Sequence, residues 1–180
     1  MKQITEYLST KIVQSKIKAT DETINQIVKA ELDRLGHDAD LNHIDVSEVI
    51  DMNALFRCDE YGHLGIKYLD LNPDISMWDV SNVKYMRTMF CGAENFNKDL
   101  SQWNVSKVEN MRSMFRCCKN FNQDISGWDV GNVKSMYGMF DECEKFNKNI
   151  SGWDISSVKN NQYMFFNCPI KEEYKPKFKK

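Results

Sequence analysis

The sequence predicts an α/β repeat solenoid. Short parallel strands on successive copies would be joined by helical or 3-10 turns and capped by N-terminal α-helices. Two observations carry this expectation. Trp78, Trp103, Trp128 and Trp153 stand 25 residues apart and are the only tryptophans of the chain. The same interval separates Val83, Val108, Val133 and Val158, Met89, Met114, Met139 and Met164, and Phe90, Phe115, Phe140 and Phe165. A unit this short cannot bury its apolar face alone, so the copies must lie against one another.

Residues 1–42 do not repeat and form the expected helical N-terminal cap. "TDETINQIVKAELDRLG" reads as a helix, with Thr20 or Asp21 as cap and acids in its first turn. Ile24, Ile27, Val28, Leu32 and Leu35 make one apolar face, and Gly36 supplies the stop. Ile4, Tyr7, Leu8 and Ile12 mark a weaker helix over 3–13. A separate helical interaction module is the alternative for these residues.

The repeat region spans 43–170 in five units. The first is degenerate. "DVSEVIDMNALF" at 45–56 aligns with "DVSNVKYMRTMF" at 79–90, which leaves an insertion of about nine residues between Arg57 and Leu71. Within a unit, "DISGWDV" looks like a short strand entering a turn. In "VKSMYGMF", Val133, Met136, Met139 and Phe140 follow a helical or 3-10 spacing. Residues 171–180 form a basic tail with five lysines against two glutamates.

Asp or Asn recurs at two places in each unit. Asp74, Asp99, Asp124 and Asn149 precede the tryptophan, and Asp79, Asn104, Asp129 and Asp154 follow it. Stacked acids suggest calcium, but Asn replaces Asp in both series and no glycine-rich calcium spacing is present. The residues favour side chains that accept from turn backbone N–H groups. The series Asn72, Asn97, Asn122 and Asn147 reads likewise as an internal ladder.

Cys118, Cys143 and Cys168 share the place that Ala93 holds in an earlier unit. A position that accepts Ala or Cys is small and buried, so reduced thiols are expected there. Free thiols suit a reducing compartment. Cys58 and His63 have no second pair at zinc spacing, and no phosphate-binding loop or nucleophile elbow occurs. No catalytic residue, metal ligand or cofactor is expected. A tryptophan platform for carbohydrate or bases is weighed against a ladder of core aromatics, which the spacing favours.

Net charge is −2, which supplies no global field for nucleic acid. No apolar run is long enough to span a membrane, and the start lacks the apolar segment of a secretory signal.

The repeated unit, seen in "NQDISGWDVGNVKSMYGMF", resembles that of BspA-like leucine-rich-repeat surface proteins, in the 25-residue variety of mycoplasma-type lipoproteins. The resemblance implies a leucine-rich-repeat-like solenoid associated with bacterial cell surfaces and adhesion. It implies a surface or secreted location if a signal was trimmed, whereas a native start at Met1 implies the cytoplasm.

The expected function is a non-enzymatic protein-binding surface built from outward positions that differ between copies. These are Met77 and Gln102, equivalent to two glycines in later copies; Arg87, Arg112 and Tyr137; and Lys98, Gln123 and Lys148. The partner would be a protein that the sequence does not name. Alternatives are a structural protein that assembles through the last copy, and a carbohydrate-binding adhesin.

Overall fold

The structure is a computed structural model that describes residues 16–59, 61, 62, 64 and 68–178. Regular elements are few. Strand β1, Ile17–Lys18, pairs in parallel with β2, Ile44–Asp45, in the register Ile17 to Ile44 and Lys18 to Asp45. Helix α1, Ile24–Leu35, connects them, and a 3-10 turn covers Glu172–Tyr174. The expected helix over 3–13 lies outside the described residues.

Helix α1 forms where its sequence places it. Gly36, at φ 97°, donates its N–H to the Leu32 carbonyl and ends the helix. Ile24, Val28 and Leu32 are buried, Ile27 packs half-buried on the core and Leu35 is exposed. Capping differs from expectation. Thr23 is the N-cap, without a side-chain bond to the helix. The Asp21 carboxylate instead accepts the N–H groups of Ile50 and Asp51, at 2.7 and 3.0 Å, and ties the helix entry to the repeat region.

The expected α/β solenoid, with its leucine-rich-repeat-like strands and helical turns, is overturned. From Val46 to Ile170 the described chain contains no α-helix and no strand, only turns, loops, a 3-10 residue at Tyr68 and single parallel bridges such as Tyr85 to Asn110 and Asn110 to Ser135.

Two physical causes remove the expected elements. In "DISGWDV" the backbone N–H groups are taken up locally. Asp124 accepts from Ser126, Asp129 accepts from Gly131, and the Trp128 N–H returns to the Ile125 carbonyl. Within "VKSMYGMF" and again two residues after it, the chain takes a left-handed conformation. Thr88, Ser113, Gly138 and Tyr163 have φ between 52° and 58°, and Gly92, Cys117, Glu142 and Asn167 have φ between 52° and 80°. A left-handed residue every fourth position permits neither a continuous helix nor a pleated strand.

Burial nevertheless follows the sequence period. One core runs through the described molecule and includes α1. Phe56, Phe90, Phe115, Phe140 and Phe165 form a column with successive ring centroids 5.4 to 5.8 Å apart. Phe96, Phe121 and Phe146 form a second, at 6.2 and 5.9 Å. Each tryptophan is 3 to 5% exposed. Its indole N–H donates to a carbonyl of the preceding copy, as Trp128 does to Leu100 at 2.9 Å. Buried tryptophans have no free face, so the platform reading of these residues loses its basis.

Candidate functional site

The outward series lie on three different segments of each copy. Arg87, Arg112 and Tyr137 occupy one place in consecutive copies because the backbone beside them is bonded across each junction. The Thr88 N–H donates to the Arg112 carbonyl, and the Ser113 N–H to the Tyr137 carbonyl, both at 2.8 Å. Arg87 and Arg112 are exposed and Tyr137 is half-buried. The Arg112 guanidinium lies 4.4 Å from the centre of the Tyr137 ring. Tyr163 meets Tyr137 edge-on at 5.6 Å, and Phe166 meets Tyr163 at 6.0 Å. The result is a cationic and aromatic strip on the surface.

The other predicted residues are placed apart from it. Met77 is 74% exposed, with its N–H held by the Asn42 side chain. Gln102 is exposed and reaches only Ser101. Lys98, Gln123 and Lys148 are half-buried. Lys98 pairs with Asp38 at 2.9 Å, and Gln123 donates to the Asn97 carbonyl at 2.8 Å. Lys98 thus reaches the non-repeating region and Gln123 the preceding copy, rather than stand free for a ligand.

The sequence pointed to Phe165 and Phe166 as poorly covered by the short tail, but passed over Tyr163 and a groove. Tyr163 and Phe166 are 59% and 52% exposed at the edge of the last copy. Lys84, Lys107, Glu109, Asn132 and Lys134 line a shallow groove of about 260 Å³. The 25-residue interval of Lys84, Glu109 and Lys134 was a usable signal for the groove. In that groove Lys134 is paired with Glu109, and Lys107 donates to Asn82 at 2.7 Å.

The Asp and Asn series work as turn acceptors. Asp74 holds the Ser76 N–H at 3.0 Å and Asn149 the Ser151 N–H at 3.1 Å. Bonds from the Ser76 backbone and hydroxyl hold the Asp74 carboxyl below its ordinary range. The asparagine ladder is continuous. Asn97, Asn122 and Asn147 each donate their N–H to the previous asparagine side chain at 2.9 to 3.1 Å. The Lys171 N–H closes it on Asn147. Among the described residues no group of three or more His, Cys, Asp and Glu is placed to hold a metal. His63 lies outside them.

The six cysteines are free thiols. Cys118 and Cys143 are fully buried as expected, and each donates to a carbonyl of the preceding copy at 2.9 Å. Cys168 is half-buried, since only the tail residues cover the last copy. Burial pushes the Cys58 and Cys117 thiols up to about 12, far from the ionised form that a nucleophile needs.

No helix among the described residues is long and apolar enough to cross a membrane. No curated protein matches the chain, and no solved structure matches it. A family model described as "Mycoplasma protein of unknown function, DUF285" matches residues 63–176. That match covers the later copies and more than half of the chain, so the protein belongs to this mycoplasma family.

Proposed function

We propose that the protein is a non-enzymatic binding module that engages another protein through the strip around Arg112 and Tyr137. The observation that carries this is the 4.4 Å contact of the Arg112 guanidinium with the Tyr137 ring, on a backbone held in register from both sides. Arg and Tyr are the residue types on which protein interfaces concentrate their binding energy. The core beneath repeats its residue types from copy to copy, while this strip reads Arg, Arg, Tyr and then Gln162. Partner choice therefore resides in the positions that vary.

The resemblance to BspA-like surface proteins supports an adhesive role at a cell surface, whereas six free thiols support a reducing compartment. Protease treatment of intact cells separates the two locations. The function itself is tested by affinity capture from mycoplasma and host extracts with wild type and Arg112→Ala/Tyr137→Ala. A partner retained by wild type and lost by the variant is expected. Equal capture by both would overturn the proposal.

A further inference from the structure

The junctions between copies have a polarity that a β-sheet lacks. At each one, four N–H groups of one copy donate to four carbonyls of the next. Met111, Ser113, Phe115 and Cys117 donate to Ser135, Tyr137, Met139 and Asp141 at 2.8 to 3.0 Å. The peptide unit whose carbonyl accepts is the unit whose N–H donates onward. The Tyr137 carbonyl accepts from Ser113, and the Gly138 N–H of the same unit donates to Gln162. Peptide units thus line up head to tail in four columns that start at Met52, Ala54, Phe56 and Cys58. Backbone-to-backbone bonds that run the other way are fewer at each of these junctions, such as Lys159 N–H to the Lys134 carbonyl and Asn120 N–H to the Glu94 carbonyl. Strand dipoles alternate and cancel in a β-sheet, but here four columns add, as they do along a helix.

The columns end on the N–H groups of Asn161, Tyr163, Phe165 and Asn167, for which the described residues supply no acceptor. Side chains change at this edge. Asn161 stands where Met86, Met111 and Met136 are buried, and Phe166 stands where Cys91, Arg116 and Asp141 stand. Tyr163 keeps φ 58° at a place held by Ala54, Thr88, Ser113 and Gly138, a strained conformation for a bulky residue. Beside the edge, Lys159, Asn161, Lys177 and Phe178 line a cleft of about 370 Å³ with Trp153, Val158 and Asp154, whose carboxylate accepts the Ser156 N–H. Lys175 Nζ lies 5.6 Å over the Phe165 ring.

We propose that this donor edge is a second docking site, and that it takes an acidic peptide segment with apolar side chains. A carboxylate only accepts hydrogen bonds, which matches the four N–H groups on which the columns end. Bonds from N–H to an ionised oxygen are roughly twice as strong as neutral ones. Lys159 and Lys177 match the charge, and Tyr163 and Phe166 offer apolar contact. A second copy of this chain is the poorer occupant. The equivalent carbonyl edge of the first copy is borne by Asp51, Asn53, Leu55 and Arg57, of which Leu55 is buried and Arg57 has its carbonyl against Gly62, so half of the acceptors a second copy would need are covered. A long polyanion is also the poorer occupant: it would extend past Lys159 and Lys177 onto a chain that carries a net −5 outside residues 171–180 (−2 overall less +3 for the five lysines and two glutamates), whereas a short segment stays beside the two lysines.

The inference extends the protein-binding reading from the strip to the edge it adjoins, where Tyr163 and Phe166 belong to both, and the two fail separately because Arg112 and Tyr137 lie outside the edge. The test uses the ¹⁵N-labelled full chain and a short peptide of alternating glutamate and leucine. A lysine-for-glutamate counterpart and heparin serve as rival probes. In the free protein the amides of Asn161, Tyr163, Phe165 and Asn167 should exchange rapidly, while those of Met136, Gly138, Phe140 and Glu142 are protected. The acidic peptide should shift and protect the first four, and Lys159→Glu/Lys177→Glu should weaken its binding about tenfold. Protection of these amides before any probe is added, with a dimer in light scattering, would overturn the proposal in favour of self-association. Equal binding of the lysine peptide, tighter binding of heparin, or no change at the four amides would overturn it too. Shifts confined to the Arg112 and Tyr137 amides would overturn it while leaving the strip as the binding surface.

Discussion

The two ends of the repeat region make opposite use of the same geometry. At the first copy the core is closed. Met52, Leu55 and Phe56 are at most 1% exposed, and Ile24, Val28 and Leu32 of α1 join their cluster. At the last copy the equivalent ring, Phe165, is half-buried, and Tyr163 and Phe166 face solvent. The difference teaches that the period specifies the junctions and not the ends. Each end is specified by residues that break the pattern: the non-repeating helix at one, Asn161 and Phe166 at the other.

The largest expected effect tests the closed end. Val28 is fully buried on the face of α1 that joins the common core. Val28→Asp would place an unpaired charge there, which is among the strongest single-residue perturbations. If residues 1–42 act as a cap, the melting temperature of the whole protein should fall in one transition. A variant that melts in two steps, with the later copies unchanged, would show that the helix is a separate unit. Lys177→Glu at the open end should leave the melting temperature within a degree or so, since solvated surface changes are usually small.

An interior ring tests the columns. Phe115 is fully buried between Phe90 and Phe140. Phe115→Ala should cost about 3–5 kcal/mol in urea denaturation. Phe165→Ala should cost clearly less, because one of its faces meets only Lys175 and the tail. Equal losses would mean that the last copy is as well covered as the interior.

Much of this was legible in the chain itself. The 25-residue interval gave the register, the tryptophan and phenylalanine core, and the asparagine ladder, because a side chain at a fixed place meets its equivalent in every copy. The backbone conformation was not legible. Only Gly92, Gly138 and Asn167 advertise a left-handed residue. Thr88, Ser113, Cys117, Glu142 and Tyr163 adopt it with no local signal, held there by bonds across the junctions. A helical spacing of buried residues was therefore read as helical turns, although i to i+3 turns with left-handed residues bury the same positions. The polarity of the edge was hidden for the same reason. The candidate strip was legible only as a list of varying positions, and the Arg112 to Tyr137 contact required the register to be known.

A smaller effect probes the ladder. Asn122→Ala would leave the Asn147 N–H without its acceptor inside the repeat region. The expected loss is about 1–3 kcal/mol, measured by urea denaturation. Asn147→Ala should cost less, since its partner Lys171 is exposed and its N–H can turn to water. Equal costs would remove the distinction between interior and edge for this column.

The smallest effect concerns the thiols. Burial raises Cys58 from 9.0 to about 12, and nearby Cys91 and Asp59 add to the shift. In the unfolded chain the same thiol ionises near its ordinary value. Below pH 9 both states keep the proton, and the burial contribution is fully present. Between pH 9 and about 12 only the unfolded state releases it, so stability falls as pH rises. Lysines and tyrosines also titrate in that window, so the informative quantity is a difference between variants. Cys58→Ala should lose stability less steeply than wild type between pH 9 and 11, whatever its stability at pH 7. Cys168→Ala, at the half-covered last copy, should change that slope less than Cys58→Ala does. Native thiol labelling should follow the same order, slow at Cys58, Cys118 and Cys143 and faster at Cys168. Identical slopes for both variants, with uniform labelling, would mean that the closed and open ends exclude water equally.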